Sequence, residues 1–392
     1  MADVKEWTDK YNPFNSDKLF AHYHRWQKIQ RGEDIPAPAL VTVDPINACN
    51  YKCVWCNADY VLGKNKGMIS NNSLDEIADF LPKWGENMGY PEFPVHAVCI
   101  AGGGEPLLHP YVGKFIEKLH HNEIKSGVVT NGVNIDRHLD SLIYCDWVGV
   151  SMDCATEETN QKLKGCRPGE FTRAIDGIQA LISYSSEKSD SRLGLPGQGH
   201  GVSYKYLLHP GNVHEVYDAA VLAKEIGCRS LHVRPFGLSW DKVGEGIAKI
   251  DGFSDEKLDL FKEQIAKARE LEDDTFRVFG VTHKFDGNFG KSNMFKRCHA
   301  VFMTGVFMPP TTKGAEGFNF GLCCDRRGDD RLTLEDLTTP DDVENFWGSS
   351  KHWKMFDDIN VKSCPRCTYQ PHNQIYENAI DGDGDNMTID FI

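Results

Sequence analysis

At 392 residues, 40% hydrophobic and 26% charged, the chain has the composition of a soluble globular protein with room for two domains and a large core. Its formal net charge of -14 excludes general binding to nucleic acid or to an anionic membrane, since neither supplies a counter-charge, while leaving room for a local basic pocket. The 13 cysteines are an odd number, and neither a secretory leader nor an apolar run of bilayer length accompanies them, so the expectation is a reducing cytoplasm and metal ligation, not a disulfide framework.

Residues 1–39 are expected to form an N-terminal helical extension. Within it, Leu19, Phe20, Tyr23 and Trp26 recur at helical spacing between Ser16 and Arg31 and would pack on the main domain. Residues 40–245 form the main unit, in which short apolar strands alternate with amphipathic stretches. The strands are placed at Leu40–Val43, Val95–Ile100, Gly127–Thr130, Trp147–Ser151, Val202–Leu208 and Ser230–Arg234. Helical stretches fall at Ser73–Met88, Tyr111–His121, Asp136–Tyr144, Phe171–Ser186 and Val213–Ile226, with Pro82 a kink in the first. This alternation predicts an α/β fold with a parallel sheet, open or curled into a partial barrel, whose active site gathers at the C-terminal strand ends.

The glycine-rich stretch Ser189–Gly201 reads as a connector. Residues 246–290 read as a connecting region around an amphipathic helix, Ser254–Asp273, and residues 291–392 as a small second domain rich in turns and cysteine. The run Asp381–Asp385 begins like a calcium loop. It has Asn386 where that loop needs glycine and no closing glutamate, so it reads as a solvated acidic tail.

Cys49, Cys53 and Cys56, spaced C-x3-C-x2-C, sit on a loop leaving the first strand. Three thiolates cannot close a four-sulfur zinc site; they suit an iron–sulfur cluster with one iron left open to a small molecule. After the second strand, Gly102, Gly103 and Gly104 let the backbone approach a ligand, and Glu105 can accept hydrogen bonds from an ammonium. Asn131 follows the third strand, Ser151 and Asp153 close the fourth, and short polar side chains there can bond ribose hydroxyls. Arg234 ends the sixth, where a cation can meet a carboxylate of cofactor or substrate.

A second thiol set lies downstream: Cys298, the doublet Cys323-Cys324, and the pair Cys364 and Cys367. Adjacent residues on an extended chain point to opposite sides, so one member of the doublet would complete four ligands for zinc or a [4Fe–4S] cluster. Cys99, Cys145 and Cys228 fall on or beside predicted core elements and read as buried apolar residues. Cys154 and Cys166 follow the fourth strand and are candidate hydrogen-atom donors to a substrate radical.

The cysteine spacing, with aromatic Trp55 before the third cysteine, and the GGE-like run Gly103-Gly104-Glu105 together resemble the radical S-adenosylmethionine (SAM) enzymes. The C-terminal cysteine order resembles their shortened SPASM, or twitch, extension, and the likeness runs from about residue 40 to 375. The resemblance implies a partial (β/α)6, TIM-like barrel with a small α+β auxiliary-cluster domain. It implies a [4Fe–4S] cluster on Cys49, Cys53 and Cys56 whose open iron is chelated by the amino and carboxylate groups of SAM. The glycine–glutamate motif would hold the methionine amino group, and Asn131, Ser151 and Asp153 would lie near the ribose and methionine. Where the family commonly has an arginine reaching the SAM carboxylate, this chain has Lys164, with Arg167 three residues on; lysine lacks the bidentate fork.

One auxiliary [4Fe–4S] cluster is implied on Cys298, Cys323 (or Cys324), Cys364 and Cys367, with Cys323 favoured as the first of the doublet. The implied reaction is reductive SAM cleavage to a 5′-deoxyadenosyl radical that takes hydrogen from a substrate, in oxidoreductase or epimerase chemistry, with an electron donor such as flavodoxin or ferredoxin. Residues 1–39 look too short for a leader-binding winged fold, so a small polar, sugar-like substrate is expected ahead of a ribosomally made peptide. A zinc-stabilised, non-enzymatic binding protein is the alternative from another class.

Overall fold

Alternation of apolar and polar residues along short strands puts one side of each strand under helices and the other toward a shared interior. The computed structural model describes residues 15–32, 35–56, 58, 62, 67–86, 89–196, 200–237, 253–280, 295–312, 314–364 and 367–381. Strands β1 (Leu40–Val43), β2 (Ala97–Ile100), β3 (Lys125–Thr130), β4 (Trp147–Ser151), β5 (Gly201–Leu208), β6 (Ser230–Pro235) and β7 (Arg277–Gly280) run parallel and adjacent in chain order. Val41 and Val43, Val98 and Ile100, Val148 and Val150, Tyr204 and Tyr206, and Leu231 and Val233 make the buried outer side. At about 1.5–3 kcal/mol for each large side chain fully removed from water, this layer dominates the fold's stability.

The helices between strands are α2 (Asn71–Phe80), α3 (Val112–His121), α4 (Leu139–Leu142), α5 (Glu157–Lys164), α6 (Glu170–Glu187), α7 (Val216–Glu225) and α8 (Asp255–Arg269), preceded by α1 (Tyr23–Gln30). α2 starts at a Ser70 cap whose hydroxyl accepts from Ser73 N at 3.1 Å. It ends at Phe80, with Leu81 as its cap, short of the expected Met88. Pro82 has no N–H with which to continue the ladder, and residues 81–86 turn instead. The α5 helix was not placed as an element by the sequence pattern. It is capped by Thr156 and stopped by Gly165 in the left-handed region at φ 59°.

In the N-terminal extension, Leu19 and Trp26 are buried as expected, whereas Phe20 and Tyr23 face outward. Arg25 is buried instead and donates to the carbonyls of Ala37, Phe93 and Pro94, tying α1 to the approach to β1 and β2. The stretch 189–201 is anchored where described: Arg192 pairs with Asp146 at 2.8 Å and Leu193 is buried.

The C-terminal segment does not form a separate layer. Strand β8 (Thr304–Met308) pairs in parallel with the free side of β1, Leu40 opposite Thr304 through Val43 opposite Phe307. Strands β9 (Phe318–Gly321) and β10 (Thr333–Leu337) continue outward antiparallel, giving one sheet in the order β10-β9-β8-β1-β2-β3-β4-β5-β6-β7. Helices α9 (Asp341–Phe346), α10 (Ser350–Asp357) and α11 (Gln370–Ile375) follow. Trp347 closes the return to the N-terminal region, its ring N–H donating to Pro36 O at 2.9 Å. The acidic run beyond Asp381 lies outside the described residues. Among the described residues, no helix is long and apolar enough to cross a membrane.

Candidate active site

The cysteine loop leaves β1 at Asp44 and is stitched down on two sides. The last turn of α5 has carbonyls with no helical partner; Leu163 O accepts from Val54 N and Lys164 O from Lys52 N, each at 2.9 Å. On the other side, Glu105 N donates to Ala48 O at 2.8 Å. Gly104 makes that approach feasible: a Cβ there would stand 2.3 Å from Ala48 O and 2.5 Å from Ile46 O. The glycine run therefore serves first to press the β2 loop against the cysteine loop.

On this loop Cys49 is exposed and Cys53 and Cys56 are half-buried, and all three are free thiols whose charges interact with one another. Burial pushes Cys53 up to about 12, against the pull of Lys164. Three soft donors on one short loop, disfavoured as bare thiolates, fit a cationic iron–sulfur centre that would hold them deprotonated.

Around the loop the predicted strand-end residues converge. Glu105 is buried, and burial raises its carboxyl; Oε1 accepts from Thr130 Oγ1 at 2.6 Å and Leu107 N at 3.1 Å, Oε2 from Asn131 N at 2.7 Å. With three protein donors on its carboxylate, Glu105 ties the ends of β2 and β3 together. Asn131 reaches the cysteine loop, donating to Asn50 Oδ1 at 2.7 Å. Trp55 is buried beside Leu163 and Phe236, with the His209 ring 5.4 Å from its own.

Lys164 turns inward from α5. Its ammonium donates to the carbonyls of Ser151 and Met152, lies 3.4 Å from Asp153 Oδ2 and stands over the Tyr51 ring at 5.2 Å. Burial works against its charge, but Asp153 and the nearby thiols outweigh it and its pKa lies above the ordinary lysine range. Asp153 has a left-handed φ of 61° without being glycine. It is held there by Leu207 N on Oδ1 and Asn212 on its carbonyl, both at 2.7 Å. Lys164 and Asp153 thus brace the floor of the site. Arg234, half-buried at the end of β6, contributes its charge to the surroundings of Asp153.

Cys154, a candidate hydrogen-atom donor, is 1% exposed. Its side chain is packed in the hydrophobic core and its thiol donates to Met152 O at 3.1 Å. Cys166 is half-buried, with Asn160 donating to its sulfur at 3.0 Å. Cys145 and Cys228 are buried as expected, whereas Cys99 is half-buried on β2 and its surroundings include Arg327, Asp44 and Lys205.

Among the described residues, no three cysteine, histidine or carboxylate side chains stand close enough together to form a metal-holding group, in either thiol set. Cys298, Cys364 and Cys367 share one electrostatic neighbourhood with Cys323, and burial pushes Cys298 up to about 12 and Cys323 and Cys367 well above the ordinary thiol range. Arg326 Nη1 lies 3.7 Å from the sulfur of Cys364. Cys324 presents its carbonyl to Arg327, whose guanidinium also pairs with Asp44, at 3.2 Å for Nη2 to Oδ1. Asp44 lies five residues before Cys49, so one ion pair joins the two thiol-bearing regions. Sequence reasoning missed Asp44, Arg327, Lys205 and His232; a lysine inside the otherwise apolar β5 run was the one readable signal.

A parallel barrel with three thiols on its first loop, a glycine-pressed second loop and polar strand ends defines an iron–sulfur, cofactor-binding class of protein. Residues 43–201 match the Radical SAM superfamily, and the chain carries a radical SAM domain. It is 24% identical over 280 residues to the S-adenosylmethionine-dependent nucleotide dehydratase of Lacinutrix mariniflava, covering 69% of this chain and 48% of that protein. It is 32% identical over 137 residues to the probable GTP 3′,8-cyclase of Methanococcus maripaludis, covering 34% of this chain and 42% of that one. The chain thus spans about half, or less, of the curated relatives' length. Streptococcus suis SuiB bound to precursor peptide SuiA has the same fold: TM-score 0.58, 15% identity, 93% of this chain and 78% of that one covered.

Proposed function

We propose that this protein is a radical SAM enzyme acting on a small polar substrate, with Cys49, Cys53 and Cys56 holding a [4Fe–4S] cluster. The observation that supports the reading is the cysteine loop clamped between the α5 carbonyls and the Gly104 approach, directly after the first strand. When bound, the cluster and SAM supply reductive C–S cleavage and a 5′-deoxyadenosyl radical able to take hydrogen from an unactivated C–H bond. The chain's own part is to position and to exclude water. The backbone of Gly102–Gly104, with Asn131 and Ser151, would receive the cofactor's polar groups, and Trp55 with its neighbours would form an apolar wall. Lys164 holds Asp153 and the end of β4 rigid, so the reacting geometry does not drift.

Cys298, Cys323, Cys364 and Cys367 would hold an auxiliary [4Fe–4S] cluster, and an electron donor such as flavodoxin or ferredoxin would reduce the first. A small-molecule substrate is favoured over a peptide because two curated relatives are named for nucleotides. The peptide reading is supported by SuiB, whose structure holds a precursor peptide.

Anaerobic purification with iron and sulfide analysis and a 5′-deoxyadenosine assay tests the reading. About eight iron atoms per chain are expected for two cubanes and about four for the first alone. Zinc without iron, and no 5′-deoxyadenosine, would replace the enzyme by a zinc-stabilised binding protein.

A further inference from the structure

The barrel interior contains a layer of basic groups that the cofactor-binding reading does not use. The parallel register sets Ser151 opposite Lys205 and Lys205 opposite His232. Lys205 Nζ lies 2.5 Å from His232 Nδ1, and His232 Nε2 lies 3.1 Å from Ser230 Oγ, which donates to Ser203 Oγ at 3.1 Å. Trp147 stands under the ammonium at 5.4 Å and Phe279 against the imidazole at 5.1 Å. Two residues nearer the mouth on β6, Arg234 adds its charge to the field at both groups; Cys99 from β2 and Lys18 from the N-terminal extension act on Lys205 as well. The interior is shaped for these side chains. A Cβ on Gly149 would stand 2.5 Å from Lys205 Cε, and one on Gly127 2.0 Å from the Trp147 ring.

Such a layer sets basic groups against one another in a buried interior. Burial and the Arg234 charge push Lys205 down to about 7, and burial with the Lys205 charge holds His232 well below the ordinary imidazole range. Apolar side chains of similar volume would stabilise this layer better. Basic groups kept side by side in a half-buried interior are the arrangement that a multiply charged anion stabilises, through charge-assisted hydrogen bonds to its several oxygens.

We infer that Lys205 and His232, with Arg234 on their mouth side, form a subsite for a phosphate group of the substrate, so that the substrate class is phosphorylated small molecules. This rests on the proposal that the barrel interior receives the substrate. A phosphate suits the layer better than a single carboxylate, because it offers three acceptor oxygens and up to two charges to more than one cation.

The test is calorimetric titration of the anaerobically reconstituted full chain with inorganic phosphate and pyrophosphate, at constant ionic strength set by chloride. Saturable binding is expected, weakened at least tenfold in Lys205→Met and in His232→Gln, and unchanged in Lys224→Met, a surface lysine of α7. Melting temperature is measured on the same proteins in chloride. Lys205→Met should still melt cooperatively, so that lost phosphate binding is not lost folding. The inference is overturned by absence of saturable phosphate binding to the parent chain, or by equal affinities in all variants. It is also overturned if SAM affinity falls in step with phosphate affinity, which would assign the cations to the cofactor carboxylate. Failure of the parent chain to cleave SAM would remove the proposed function, while the phosphate titration still decides this inference.

Discussion

Lys164 carries more of the site than any other single residue, because its ammonium satisfies two strand-end carbonyls and one buried carboxylate at once. Replacing it with alanine leaves Asp153 charged, buried and in a strained backbone conformation. The expected cost is about 3–5 kcal/mol in urea unfolding, with much of it recovered in the Lys164→Ala, Asp153→Ala double variant. A single-variant loss below about 1 kcal/mol would mean the pair does not brace the site. A second residue reads pH. His352 is fully buried, accepts from Gly348 N at 3.1 Å on Nδ1 and pairs Nε2 with Val301 O at 3.1 Å, so it is held neutral and its pKa falls to about 4. The unfolded chain binds a proton on this ring from about pH 6.5 downward and the folded chain only from about 4, so its contribution is present above 6.5 and is lost as pH falls through that window. Stability should drop by about 3 kcal/mol from this group between pH 6.5 and 4, and His352→Gln should flatten the measured slope by that amount.

At the scale of elements, the loops after β1 and β2 and the end of α5 form one unit, joined through backbone groups. Gly104 is the point where they touch. Its replacement by alanine has no cheap accommodation, because the added carbon meets the main chain of Ile46 and Ala48 and not a movable side chain. Gly104→Ala should therefore lower iron retention and reduce 5′-deoxyadenosine formation by more than about a hundredfold, the scale expected when reacting groups are misplaced by about 1 Å. Normal iron content and turnover in this variant would show that the loop contact is not needed. The first six strands, the cysteine loop and the glycine run were legible because each depends on local pattern: period-two apolarity, thiol spacing and freedom from a Cβ, whereas β7 to β10 were not placed. The burial of Arg25 in place of Phe20 and Tyr23 was not, because helical spacing marks a face without saying which carbonyls wait beneath it. Nor was the α5 helix, whose polar sequence Glu157–Lys164 lacks a continuous apolar stripe and is fixed by its caps and its junction with the cysteine loop.

At the scale of the molecule, the C-terminal segment completes the barrel sheet instead of standing apart. β8 covers the free side of β1, the strand that feeds the cysteine loop, and the Arg327–Asp44 pair repeats the connection at the mouth. Deleting residues 291–392 should therefore expose the hydrogen-bonding edge of Leu40–Val43 and give aggregated protein, not a free-standing barrel. A monomeric, cooperatively melting truncation on size-exclusion chromatography would contradict this.

Local sequence determined the cysteine spacing, the strand-and-helix alternation and the glycine approach, since each is a property of residues close together along the chain. Only the tertiary structure decided that Cys154 is sealed in the core, that Lys164 is spent on Asp153, and that Lys205 meets His232. Those facts arise from register between strands distant in sequence, where burial and neighbouring charge, not residue type, set what a side chain can do.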